Sequence, residues 1–456
     1  MEEKKKKMSS LDATLMGIGE IIGAGIFSMT GVAIGVAGPG TPITYLLAGL
    51  CAMILCLPYM SISSAIPAKG GQYLYVSRFI KPVMGFLLVW NMIFETLNLS
   101  VLGISTGQYL PVIFPFLTPR MAGIIVVILI TIACLFNINT SAKVQNLMVV
   151  MILVTLGLYI FLGLPQMKYF TLRDLITVTG WTGIFTAVSY VRTAAYGAIG
   201  LVNMAGEIEN ARKVVPASIA KATLGCTALY ALVALVSVGV VPWKDMIDQP
   251  LSTAAKTFMP GFAFSVFVIC GALFGLLTTL LAMTINYSRV IWAAVDDGLL
   301  PGFLKPLNRH GIPYRIILIM GVVGVVPIIL DLPLKQVFSI MNAPGMLIGL
   351  LGTLPALIAP KKLPNKFANA WFRVPLKVMW VVVIIHCSVT MFFSYTLFTN
   401  LTLPIIGGII VFYGGGIVYY YIRKNYLKKK DGTDLDVILS TYDPEWLSDD
   451  QPVKID

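Results

Sequence analysis

Long apolar runs separated by short polar segments dominate this chain of 456 residues. Crossing bilayer hydrocarbon takes roughly 20 residues of helix. Twelve stretches fit that requirement: about 11–37, 43–66, 82–114, 120–137, 143–163, 183–207, 216–241, 260–296, 313–330, 334–358, 375–398 and 402–422. Glycine and proline recur inside several of them, as membrane helices tolerate and soluble helices rarely do. Two of the twelve are interrupted at corresponding places. The first carries "GAG" (Gly23 to Gly25), and the sixth, five helices later, carries "YGAIG" (Tyr196 to Gly200). Unwound backbone exposes N–H and C=O groups, which a membrane tolerates only where they line a site. Glycine breaks paired one half-repeat apart point to an inverted-repeat secondary transporter with its substrate near the midplane. Close helix packing through "GEIIG" is the competing reading, and two clusters in register favour the site.

Composition supports the membrane reading. Hydrophobic residues make up 57% of the chain and charged residues 12%, with a mean hydropathy of +0.85. The basic start, Met1 to Lys7, is followed by no clear small-residue cleavage site, so no removable signal peptide is expected. The net charge of +12 raises a nucleic-acid reading, but its placement opposes it. With a cytoplasmic N-terminus, 24 of the 33 Lys and Arg fall on the inner side and six on the outer. That is positive-inside topology with both termini cytoplasmic, and the surplus faces anionic lipid. The six cysteines lie in apolar segments without ligand spacing, so neither disulfides nor a metal site is indicated. Two histidines are too few for a metal cluster, and His386 reads as a satisfied packing residue. From Asp431 onward eight acids accompany one lysine, which reads as a solvated tail; a docking role for "YDPEWL" (Tyr442 to Leu447) is the alternative. No phosphate-binding loop, metal spacing or nucleophile–base arrangement supports an enzyme.

Several motifs together resemble one family. "GIGEIIGAGIF" (Gly17 to Phe27) with "AGPG" (Ala37 to Gly40) and "PAKGGQYLY" (Pro67 to Tyr75) resembles the start of amino acid–polyamine–organocation superfamily permeases. "AGEIENARKVVPASI" (Ala205 to Ile219) resembles the loop after their sixth helix, and "SRVIWAAVDDGLLPGFLKPLNRHGIP" (Ser288 to Pro313) their eighth helix and its loop. The similarity spans about residues 11–360. It implies an all-α polytopic membrane protein with a leucine-transporter-like 5+5 inverted repeat and broken helices 1 and 6. The expected layout is an N-tail (1–10), a first repeat (11–163), a second repeat (183–358), helices 11 and 12 (375–422) and a C-tail (423–456). The resemblance implies an amino acid as substrate. Its carboxylate would meet the amides of Gly23, Ala24, Gly25 and Ile26, and its ammonium the carbonyls of Ile22 and of Ala195, Tyr196, Gly197 and Ala198.

The departures from that pattern are the charged residues. Glu20, Glu95 and Arg192 lie within predicted spans, where ionisable groups are functional candidates by default. Glu95 can bind a cationic side chain, carry a coupling proton or neutralise Arg192; pairing is the cheapest of the three, because a lone buried charge is costly. Glu20 is a second candidate proton carrier. Arg289 reads as structural, paired with Glu207 or Asp296. Relatives often place an aromatic just before the helix-6 break; here Tyr196 is the nearest ring. Some relatives place a lysine in helix 5 where this chain has Ile152. Sodium-coupled members of the fold bind Na⁺ between helices 1 and 8, which here implies Gly19, Ile22, Gly275, Thr278 and Thr279. Both threonines can instead bond their own helix, leaving H⁺ coupling or passive exchange. The function so implied is a symporter or exchanger for amino acids in the cytoplasmic membrane. A carrier of cationic amino acids or polyamines is the narrower alternative, and an amino acid sensor of the same fold is the alternative from another class.

Overall fold

The computed structural model describes residues 7–68, 71–136, 142–171, 174–432 and 434–441. Lys4 to Lys6, Lys69, Arg173, Lys454 and the segment Tyr442 to Leu447 lie outside the described residues, as does the side chain of Lys143. Among the described residues every regular element is helical, and the one β-bridge joins Met8 to Ile208.

A capping box opens α1 (Ser10–Ile21): the Asp12 N–H donates to Ser9 Oγ at 3.2 Å and the Ser9 N–H donates to Asp12 Oδ2 at 3.1 Å. After α1 the chain breaks, then resumes as α2 (Ala24–Phe27) and α3 (Met29–Ala37), and turns back through α4 (Thr41–Ala65). A short α5 (Gly71–Phe79) leads into α6 (Pro82–Glu95) and α7 (Asn98–Tyr109), which together make one long bent stretch. Next come α8 (Pro119–Leu135), started by a Thr118 cap, and α9 (Ala142–Gly163). The second half opens with α10 (Asp174–Thr177), α11 (Gly180–Ala195) and α12 (Gly200–Asn203), followed by the long α13 (Ala211–Val240). Two short helices, α14 (Leu251–Phe258) and α15 (Gly261–Val266), precede a π-helical turn (Phe267–Leu273) that runs into α16 (Phe274–Asp296). The chain ends with α17 (Tyr314–Ile329), α18 (Leu334–Gly349), α19 (Pro355–Lys362), α20 (Pro364–Ala368), α21 (Leu376–Phe398), α22 (Leu403–Asp431) and α23 (Leu435–Ser440).

Eight helical stretches among the described residues are long and apolar enough to cross a membrane, and α8 and α17 are shorter apolar helices. The polarity pattern is that of a protein whose outer solvent is oil. Large apolar side chains point outward on the peripheral helices, with Phe161 75%, Val411 73% and Leu403 83% exposed. Serines, threonines and tyrosines are buried among apolar residues inside, Thr30, Ser63, Ser100 and Tyr109 among them. Contiguous exposed apolar surface on this scale marks contact with lipid.

The packing divides into two groups of helices. In one, α13 lies along α4, α1 rests on α13, and α11 contacts both α4 and α3. In the other, α7 packs with α8, α16 and α17. Between them stands α18, which touches α6, α7, α11 and α21. Both described ends of the chain are tied to the bundle. Met8 bonds the backbone of Glu207 and Glu209, while Arg78 Nε donates to the Thr441 carbonyl at 2.5 Å. Asp436 accepts from Tyr420 and Lys424, and Leu435 and Leu439 are buried. The start of the C-tail is therefore docked rather than solvated, a correction to the reading from its charge alone: the acids alternate with leucines that bury against the bundle.

Candidate functional site

The first break is an opening of the backbone. Ile22 (ψ 104°) and Gly23 (φ −160°, ψ −136°) are extended, so the N–H groups of Gly23, Ala24 and Gly25 lie ahead of the first turn of α2. The carbonyls around this opening are engaged from other helices. Ile21 O accepts from Tyr230 at 2.9 Å, Ile22 O from Thr279 at 3.2 Å, Gly25 O from Tyr45 at 2.8 Å, and Phe27 O from Tyr109 at 2.5 Å. None of these three tyrosines stands out in the sequence. Their only signal is a polar tip in an apolar run, a common feature of membrane helices.

The second break differs from expectation. From Tyr196 (φ −93°, ψ −5°) the chain tightens into a 3₁₀ turn at Gly197–Ile199 and continues as α12. The Tyr196 carbonyl accepts from Ile199 N–H at 3.3 Å, and the Gly200 N–H turns onto Gly197 and Ala198. The carbonyls expected to stand free for a substrate ammonium are thus largely used within the turn, because short helical turns can satisfy themselves.

The two breaks cross one another. A Cβ on Gly25 would collide with Ala194, and one on Gly197 with the Glu20 carbonyl. A Cβ on Gly200 would occupy the place of the Glu20 carboxylate. Glycine at these three positions is therefore what lets α1 and α2 lie against α11 and α12.

Around the crossing lies a cavity of about 310 Å³. Its walls include Gly19, Glu20, Gly23, Ala24, Gly25, Glu95, Arg192, Tyr196, Gly197, Thr278 and Thr279. Of the sequence-derived site residues, Ile22, Ile26, Ala195, Ala198 and Gly275 stand behind this lining. Tyr196 packs edge to face against Tyr59, with ring centroids 6.2 Å apart. The three charged residues are not gathered into one cluster. Glu95 Oε1 accepts from Asn91 Nδ2 at 2.7 Å, and Asn91 Oδ1 accepts from Tyr413 of α22 at 2.6 Å. Arg192 instead reaches α21, donating to Thr390 at a long 3.4 Å and lying over the Phe393 ring at 5.7 Å. No ion pair joins Glu95 to Arg192 among the described residues, which corrects the expected neutralisation. The two sit on walls built by different helices. The Glu20 Oε2 atom is buried without a hydrogen-bond partner among the described residues.

Two further expectations change. Arg289 lines a separate cavity of about 330 Å³ with Ser288, Trp292 and His310. Its expected partner Asp296 pairs with Lys305 at 2.9 Å, and Glu207 meets Met8 through its backbone. His386 is not a satisfied packing residue: it is buried, lines the main cavity, and its Nδ1 has no partner among the described residues. All six cysteines are free.

Between the first break and α16, oxygen atoms converge. Thr279 Oγ1 lies 2.7 Å from Gly275 O and 3.2 Å from Ile22 O, while Thr278 Oγ1 lies 2.7 Å from Phe274 O and 3.2 Å from Gly275 O. Both threonines bond their own helix, and Thr279 also ties that helix to the break. Ile152 is buried 3.6 Å from the place of a Gly275 Cβ, so that wall is apolar.

Comparison with known proteins gives the family. The profile of a family described as "Amino acid permease" matches residues 8–421. A branched-chain amino acid permease of Bacillus subtilis (strain 168) is 28% identical over 386 residues, 79% of this chain and 82% of its own length. A methylthioribose transporter of the same organism is 29% identical over 416 residues, 86% and 88% of the two chains. The vacuolar cationic amino acid transporter 4 of Arabidopsis thaliana is 27% identical over 347 residues, 70% of this chain and 57% of its own. With a match running nearly end to end, the chain belongs to the amino acid permease family of the amino acid–polyamine–organocation superfamily.

Proposed function

We propose that this protein is a secondary transporter that carries an amino acid across the cytoplasmic membrane by alternating access. The observation that carries this reading is the crossing of two helix breaks around one cavity at Gly25, Gly197 and Gly200. Half-helices of this kind supply free backbone groups at a membrane site and a hinge about which it can change access. Residues 11–163 and 183–358 are the two inverted repeats in this reading, and 375–422 is an addition to them. The amides of Gly23, Ala24 and Gly25 take the substrate carboxylate, while that of Ile26 closes onto Gly23 O. The substrate ammonium meets carboxylate oxygen from Glu20, which lines the cavity, since Ile22 O is engaged by Thr279 and the second break offers few free carbonyls.

An alkali cation suits the oxygens of Gly19, Ile22, Gly275, Thr278 and Thr279, a hard and uncharged donor set. Na⁺ bound there would couple the α1 break to α16 and so tie its own movement to that of the substrate. A narrower reading, a carrier of cationic amino acids, is favoured by one observation: Glu20 and Glu95 both line the cavity. The test is uptake of labelled alanine, leucine and lysine into proteoliposomes, with Na⁺ or choline outside at fixed pH. Uptake driven by Na⁺ and lost in Thr279→Ala is the expected result. Binding without uptake or counterflow would make the protein a sensor, and uptake indifferent to Na⁺ would leave H⁺ through Glu20 or Glu95.

A further inference from the structure

We infer that Arg192 and His386 form an anion subsite, a lobe of the main cavity built partly by α21. This deepens the transporter reading and rests on it for the identity of the cavity. Arg192 lies two residues before Ala194, which faces α2, and so projects from another side of α11. There it meets Thr390 and Phe393 of α21, while His386 stands one turn before Thr390 on the same face of that helix. Phe338, Met341 and Asn342 of α18 line the same cavity.

What marks the lobe is polarity without partners. Arg192 is 5% exposed and His386 3% exposed. Among the described residues, Arg192 Nε and His386 Nδ1 have no hydrogen-bond partner, and the side-chain bond of the guanidinium is the long one to Thr390. No carboxylate among the described residues pairs with Arg192. A buried guanidinium left this way is costly, and an anion with planar or spherical charge offsets that cost. The face of Phe393 supplies weak compensation only. Glu95, the acid best placed by sequence to neutralise the arginine, is held by Asn91 on another wall.

The anion has one of two sources. It is either a carboxylate on the solute's side chain or a free halide bound beside the solute. The test is equilibrium binding to the purified full-length protein of L-glutamate and L-glutamine, in chloride and in gluconate buffer, with the thermal transition read in parallel. A solute carboxylate predicts glutamate binding at least about tenfold tighter than glutamine in either buffer. A halide predicts a lower thermal transition and weaker glutamine binding in gluconate. Either response should disappear in Arg192→Gln and weaken in His386→Phe. The wild-type protein alone can overturn the inference: no preference for glutamate and no response to chloride would do so, even where the variants fail to fold. An unchanged response in well-folded Arg192→Gln would overturn it too. Proteoliposome uptake of leucine separates the two readings. Uptake with no anion response removes the subsite alone, whereas an anion response with no uptake of any amino acid removes the transporter reading alone.

Discussion

The two helix breaks meet in space and are built on different principles. At Ile22–Gly23 the backbone is extended, and donors from α4, α7, α13 and α16 hold the carbonyls around it. At Tyr196–Gly200 the backbone stays near helical values and closes on itself as a 3₁₀ turn. The first break thus depends on its neighbours for its shape, and it can offer amides to a ligand. The second is self-contained; its part is to bring two bare glycines under Glu20. The difference shows that glycine clusters in matching positions need not do matching work.

That contrast can be broken most forcefully at Gly25. In Gly25→Val the new side chain runs into Ala194 and pushes α2 off α11. Amino acid uptake in proteoliposomes should fall below detection while the protein still elutes as a single species. Unchanged uptake would take the first break out of the site. A smaller effect is expected at the second break. Gly200→Val displaces the Glu20 carboxylate, and the overpacking should cost about 1–3 kcal/mol, read as a lower thermal transition and a roughly tenfold or larger loss of uptake. If Glu20 were idle, stability would drop with no change in uptake per folded molecule. The mildest change is Tyr230→Phe, which removes only the donor to Ile21 O. One hydrogen bond is worth about 1 kcal/mol, so the transition should shift by a few degrees. Binding should weaken slightly, because the opening is held from outside. An effect as large as that of Gly25→Val would mean that Tyr230 touches the ligand itself.

Much of this was legible in the chain. Apolar runs of bilayer length predicted the helices, and "GAG" and "YGAIG" marked both breaks. Each of these is a local property, fixed by which residues follow one another. The partners of the buried charges were not legible. Glu95 and Arg192 looked like a pair by depth, yet Glu95 settles on Asn91, which Tyr413 holds in turn, and Arg192 on Thr390 and Phe393. His386 passed for packing, and the leucines of the acidic tail gave no sign of their burial.

Sequence alone determined that this is a bundle of membrane helices with two weak points, since hydropathy and helix-breaking residues act within one segment. Only the tertiary structure decided which side chains face the cavity together. Depth along a helix follows from residue number, at 1.5 Å per residue, but facing follows from how each helix is rotated about its axis. That rotation is set by packing against neighbours far away in the chain, so a single residue's shift of about 100° separates a salt bridge from two unrelated walls.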